Sequence, residues 1–408
     1  MSNKTNTTVR DQYENWVYPD PIKDLGQFAR SGGIIFGNPS EEFHNLWPDR
    51  TRFAPTILVP GCGANLAAVI AQKNPESRVI GIDISESSLA NSERLKRRHK
   101  LDNLELFPLN LFEVESLKCR FDCIIVTGVL HHLEDPIAGG KILLDALAER
   151  GVMLVMHYGM ALRIGVYMLQ KAFRLVGLQQ NEEGVAAVRA TLGRLPEKHV
   201  ARRYIDAADE LKYDGAIVDT FLHPQDRAYS ADEIYQYAED IGAQFQAWLD
   251  RGRLNPISAL GSDHPLLPAI MELSERKRSE VVDLLRQSEG THRFLLRRRD
   301  DPKDYLVDFG SEEFWSWIPH KHPRLKYGPS KENLGAFTLR RDRRSIDANA
   351  LVAAFLSVID SKRTVQGCYD ELIRQGAQRA PDSEMAIRSV AKELYELGHI
   401  FVDKSATP

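Results

Sequence analysis

Gly61, Gly63 and Asp83 are the residues whose types and spacing first suggest chemistry. The two glycines follow the uncharged run Ile57, Leu58 and Val59, which reads as a strand covered on both faces. They let the backbone turn sharply into a helix with main-chain N–H groups exposed, and no side chain holds a ligand away. A second apolar run, Val79, Ile80 and Ile82, ends in Asp83. In a parallel sheet that carboxylate can accept from both hydroxyls of a ribose. A dinucleotide needs a third glycine where its pyrophosphate rests on the helix start, and Leu66 stands there instead. The pattern favours a ligand with ribose and adenine but no diphosphate, held around Gly61, Cys62, Gly63, Asn65, Asp83 and Ile84.

Further chemistry lies in FDCIIVTGVLHHLEDP, where Thr127, Gly128 and Val129 close a strand and face the same crevice. His131 and His132 come next. Adjacent residues cannot both face one way, so one can serve as a base while the other satisfies the loop. His157, which VMLVMHY delivers with Tyr158 to the sheet edge, is the second candidate proton acceptor beside His131. Structural hydrogen bonding is the competing role for both. The segment VDTFLHPQDRAYS adds Asp219, His223, Asp226, Arg227 and Tyr229, a loop where an acceptor substrate would be read. Its alternative is a bend at Pro224 with an Asp226–Arg227 pair.

These residues require an α/β scaffold. The helix after Gly63 stops near Pro75, and Ser85 caps another that ends in Arg97, Arg98 and Lys100. Leu104 to Leu109 is a third strand and FDCIIVTG a fourth. Asp135 and Pro136 open a helix that runs through Ile142, Leu143 and Leu147 to Gly151, before the fifth strand. From Ala161 the spacing of Leu162, Val166, Leu169, Phe173 and Val176, then of Val185, Val188, Leu192 and Leu195, predicts an inserted helical cap. Ser230 caps a helix leading to AQFQAWL, the sixth strand, and THRFLLRR returns as an antiparallel seventh. The expected fold is a doubly wound, seven-stranded, mostly parallel sheet with helical insertions. Its parts are an N-terminal arm or lid (1–50), a cofactor-binding core (51–160), the inserted cap (161–227), the rest of the core (228–299), and a linker with a small winged-helix-like module (300–408).

Through GCGAN, VIGIDIS and FDCIIVTGVLHHLEDP the chain resembles the class I S-adenosylmethionine-dependent methyltransferases, over roughly Thr51 to Met160. The GCGAN turn resembles more closely a bacterial subgroup with a GCGxN turn. The resemblance implies S-adenosyl-L-methionine as cofactor and methyl transfer to an O, N or C nucleophile of a small molecule or peptide. It implies contacts to the adenine amino group from Asn110, followed by Leu111, with a turn asparagine as the other reading of Asn110. Asn65 would donate to the ligand carboxylate. The position two before the first glycine, acidic in many such enzymes, is Val59. An N-terminal segment often closes the cleft in these enzymes, which suits Tyr13, Trp16 and Tyr18. The competing classes are a non-catalytic adenosyl-ligand or peptide-binding protein and an NAD-dependent oxidoreductase.

The 408 residues hold 53 Lys plus Arg against 57 Asp plus Glu, a net charge of -4, so no global field draws nucleic acid or an anionic membrane. LKRRHK and RRDRR read as solvated faces. The four cysteines show neither a disulfide framework nor metal spacing, which suits a reducing compartment, and a cytoplasmic address is expected. No metal is expected, no apolar run is long enough for a membrane span, and a homodimer is compatible with the composition.

Overall fold

The computed structural model describes residues 10–33, 35–287, 290–331, 333, 335–342 and 344–405. The chain divides into two compact units: Met1–Phe36 with Ala54–Phe245 and Glu275–Asp301, and Gly37–Phe53 with Gln246–Ser274 and Pro302–Pro408.

The central sheet comprises β1 (Ile57–Pro60), β2 (Val79–Asp83), β3 (Leu104–Pro108), β4 (Phe121–Thr127), β5 (Leu147–Gly159), β6 (Ala228–Tyr229), β7 (Ala243–Trp248) and β8 (Thr291–Arg298), all in the first unit except the last three residues of β7. The order is β3-β2-β1-β4-β5-β8-β7, with β6 off this path beside β5. Seven strands were expected; the eighth is the two-residue β6, too short to carry an alternation signal. Ile57 pairs in parallel with both Val79 and Cys123, so chain order reverses on either side of β1. Such a reversal leaves a crevice at the carboxyl ends of the strands. β1 and β2 are buried along their whole length, as strands covered on both faces must be. β5 pairs antiparallel with β8, through Leu154 with Leu295 and His157 with His292.

Helix boundaries follow local chemistry. Ser85 accepts from Ser88 N to start Glu86–His99, and Asp135 accepts from Ala138 N to start Pro136–Asp145. The latter helix was expected to reach Gly151 but ends earlier. Leu147 instead pairs with Phe121, and an irregularity between Phe121 and Cys123 accommodates the early strand start. The insertion has its own core, in which Val166, Leu169 and Phe173 of Met160–Leu175 meet Val185, Val188 and Leu192 of Glu182–Arg194. Each such buried side chain stabilises by roughly 1.5–3 kcal/mol.

The second unit contains β9 (Ile318–Lys321), the antiparallel strands β10 (Lys326–Pro329), β11 (Phe337–Arg341) and β12 (Arg344–Ala348), the helices Ala350–Val358, Val365–Arg374 and Ser383–Glu396, and β13 (Ile400–Asp403). β13 pairs with β9. Its core centres on Phe314, Trp317, Phe355, Leu356 and Ile400. The segment Gly37–Phe53, read in the sequence mostly as part of the arm, belongs to this unit: Phe43, Leu46 and Trp47 are buried, and Asn45 donates to Leu249 O at 3.1 Å. Among the described residues no helix is long and apolar enough to cross a membrane.

Candidate active site

Gly61 and Gly63 both adopt positive φ, at 57° and 55°. A Cβ on Gly61 would sit 2.4 Å from Val129 Cγ2, so the turn must be bare to approach the end of β4. Cys62 N donates to Ile82 O at 3.0 Å, fixing the turn against β2. Asp83 closes the arrangement, its Oδ2 accepting from Gly63 N at 2.8 Å and its Oδ1 from Ser85 N at 2.9 Å. Burial raises the Asp83 pKa, while the amides of Ser85, Gly63 and Ile84 oppose the shift. Each carboxylate oxygen keeps a further lone pair beside the helix start.

The N-terminal arm lies over this turn. Tyr18 O and Pro19 Cδ would both be 3.6 Å from a Cβ on Gly63. Asn65 Oδ1 accepts from Ile22 N at 2.8 Å, and Asn65 Nδ2 donates to Asp20 O at 2.9 Å. Its amide hydrogen bonds thus tie down the arm, where donation to a ligand carboxylate was expected. Glu14 accepts from Glu86 N at 2.7 Å and Ser87 N at 3.2 Å, and from the Ser87 hydroxyl. The Ser87 hydroxyl above all, with these amides, lowers the Glu14 pKa.

At the other expected cofactor positions, Asn110 accepts from Phe112 N at 3.0 Å as the cap of a short helical turn, and Leu111 is buried. Ile84 is half-buried. Thr127, Gly128 and Val129 sit at the end of β4, half-buried, with Gly128 at φ 73°.

Directly after them the structure assembles a buried polar cluster. His131 Nδ1 lies 3.4 Å from His157 Nδ1, so one of the two donates to the other. Burial first, then His132 and His157, holds the His131 pKa well below its ordinary value. Burial and His292 push that of His157 down to about 3. His157 does not stand at a sheet edge: β5 runs between β4 and β8, and the ring is enclosed by Tyr229, Tyr237 and Phe294. Asp219 accepts from Tyr13 at 2.8 Å and from Tyr158 at 3.1 Å. Burial and that carboxylate raise both phenol pKa values, so both hydroxyls stay protonated and donate. Tyr13 spans the two halves of the site, because its carbonyl also accepts from Ser85 Oγ at 3.4 Å. His223 stacks on His132 with centroids 4.0 Å apart. Asp226 pairs with Arg163 rather than Arg227, and the Arg163 guanidinium lies 3.7 Å over the Tyr158 ring. Arg227 pairs with Glu233.

Arg163, Glu14 and Gln170, whose Nε2 donates to Thr220 O at 2.9 Å and to Asp226 Oδ2 at 3.1 Å, were not singled out from the sequence. An arginine set among apolar residues in the first turns of Met160–Leu175 was the available signal for the first. Glu14 and Gln170 gave none, since their partners lie far along the chain.

Residues 58–153 match the family described as a methyltransferase domain. An uncharacterized protein of Synechococcus sp. is 32% identical over 257 residues, covering 61% of this chain and 61% of that protein. The chloroplastic magnesium protoporphyrin IX methyltransferase of Arabidopsis thaliana is 31% identical over 128 residues, 29% of this chain and 40% of that enzyme. The chain thus spans less than two thirds of these relatives. The structure of PKMT2 from Rickettsia typhi in complex with AdoHcy superposes with a TM-score of 0.64 at 13% identity, covering 90% of this chain and 75% of that one, a likeness of fold.

Proposed function

We propose, from the match of residues 58–153 to a methyltransferase domain, that this protein is a class I S-adenosylmethionine-dependent enzyme that moves the methyl group of S-adenosyl-L-methionine to an O, N or C nucleophile of a small molecule or peptide. The observation that carries the reading is the Asp83 carboxylate, held by Gly63 N and Ser85 N beside a bare turn. Asp83 would hold the ribose hydroxyls, the Gly61–Gly63 turn the amino-acid part, and Thr127–Val129 would face the reacting centre. When bound, the cofactor supplies an electrophilic methyl on a sulfonium. The chain supplies orientation, which can remove roughly 7–11 kcal/mol of a barrier.

The arm and insertion exclude water: Trp16 packs against the insertion core, and Gln180 Nε2 donates to Gln12 Oε1 at 2.6 Å. His131, paired with His157, forms the floor of the acceptor side, and both rings stay neutral there. The four cysteines are free, which supports a reducing, cytoplasmic setting. Three helices followed by β13 support the winged-helix-like reading of the C-terminal residues. Calorimetry tests the function: S-adenosylmethionine and its demethylated product should bind and NAD should not. Absence of binding by both adenosyl ligands would refute the reading.

A further inference from the structure

Gln225 fixes the protons of two histidine rings. Its carbonyl oxygen lies 3.0 Å from His132 Nδ1, and a carbonyl can only accept. His132 Nδ1 therefore carries a hydrogen, and in the neutral form of the ring the lone pair lies on Nε2. The Gln225 main-chain N–H donates to His223 Nδ1 at 3.1 Å, so that nitrogen is bare. Burial and then His132 hold the His223 pKa well below its ordinary value, which keeps the ring neutral with its proton on Nε2. Gln225 is itself held by Nε2 donation to Leu133 O at 2.6 Å. His223 Nε2 is buried and has no hydrogen-bond partner among the described residues, a costly state that a ligand atom would end.

A nitrogen of each ring and an oxygen of Asp219 come within 4.8 Å of one another, a spacing that could also hold a cation. The hydrogen bonds argue otherwise. His223 cannot offer an Nε2 lone pair while Nδ1 accepts from Gln225, and Asp219 already takes two phenol hydrogens. The rings stack with centroids 4.0 Å apart and both Nδ1 atoms on Gln225, which turns the two Nε2 atoms to a common edge, and one lone pair beside one N–H there complements a group that donates and accepts at a single atom. An ammonium only donates and a carboxylate only accepts; a neutral amine does both but has a single lone pair, which the His223 N–H would occupy, whereas a hydroxyl does both and keeps a second pair for the methyl.

Building on the methyltransferase reading, we propose that His132 and His223 hold a neutral hydroxyl-bearing acceptor at their common Nε2 edge, and that His132 Nε2 takes its proton during methyl transfer. The new O–C bond forms as the C–S bond breaks, and the C–S electron pair stays on sulfur as a neutral thioether. The hydroxyl proton passes to His132, whose imidazolium then lies beside the Asp219 carboxylate. His223 Nε2–H holds one lone pair of the reacting oxygen and leaves another aimed at the methyl.

Nitrogen-15 histidine spectra of the full chain, saturated with S-adenosylhomocysteine, test this. His132→Gln and His223→Gln provide assignments, with the Asn variants as alternates. The wild type should show His132 protonated at Nδ1 and bare at Nε2, and His223 the reverse. Phenol, the probe hydroxyl, should shift both Nε2 signals, while toluene shifts neither. The opposite tautomer at either ring, or silence toward phenol, overturns the proposal. So does one-to-one Zn²⁺ binding that is lost in His223→Gln, which would make this a cation site. Failure of S-adenosylhomocysteine to bind in calorimetry would instead sink the methyltransferase reading, and the tautomers can still be read without it.

Discussion

Asp83→Asn separates the role of charge from that of shape at the cofactor turn. The carboxylate accepts from Gly63 N at 2.8 Å and Ser85 N at 2.9 Å. A carboxamide has one acceptor oxygen, so in either orientation its NH₂ faces one main-chain N–H. A buried donor left unsatisfied costs about 1–3 kcal/mol of stability. A hydrogen bond to a charged group contributes about 1.5–3 kcal/mol, so losing one to the ribose weakens cofactor binding by roughly 10- to 150-fold. Calorimetry with S-adenosylhomocysteine on wild type and variant measures this. Asp135→Asn, which changes a helix cap away from the turn, is the control and should leave affinity unchanged. Because burial raises the Asp83 pKa, binding should weaken as pH falls, at a higher pH than an ordinary carboxylate would give. An Asp83→Asn affinity within about threefold of wild type would refute the ribose assignment, since the charged hydrogen bond sets the lower bound used here.

Gly61→Ala places a Cβ 2.4 Å from Val129 Cγ2 at φ 57°, and should cost about 1–3 kcal/mol in thermal unfolding; adding Val129→Ala should restore part of it, and no rescue would mean that φ strain alone matters. Glu14→Ala should weaken cofactor binding and expose the arm to protease, and the same release should occur as pH falls through the lowered Glu14 pKa. Unchanged cleavage would show that the arm is held by other contacts. In the second unit, burial raises the Asp250 pKa, but Arg341 and Arg344 outweigh it and bring the group down to about 2. The ionised form therefore stabilises by roughly 2 kcal/mol, fully above pH ~4 and lost as pH falls from ~4 toward ~2. Asp250→Asn should flatten that part of the melting-versus-pH curve, and an unaltered curve would count against it.

The glycine turn and carboxylate of the candidate site were legible because they are local. Gly61, Gly63 and Asp83 belong to one strand–helix–strand unit, where apolar runs and glycines report directly on backbone geometry. The acceptor half was not. Asp219, His223 and Asp226 were recognised as polar loop residues, but their partners Tyr13, Tyr158 and Arg163 are fixed by how the arm and insertion close over the sheet. His157 was placed at an edge because nothing in its own strand announces that β8 returns beside it. Phe43, Leu46 and Trp47 were legible as apolar, but not as members of the second unit.

If the cofactor binds at the Gly61–Gly63 turn as proposed, the start of Glu86–His99 bears on its exchange. Glu86 N and Ser87 N, two of the amides that a helix leaves unpaired at its beginning, are satisfied by Glu14 of the arm, whereas Ser88 N relies on the neighbouring Ser85. Lifting the arm would thus uncap the very helix that follows Asp83. Deuterium uptake at those two amides would act as a clock for ligand departure, ticking each time the door swings.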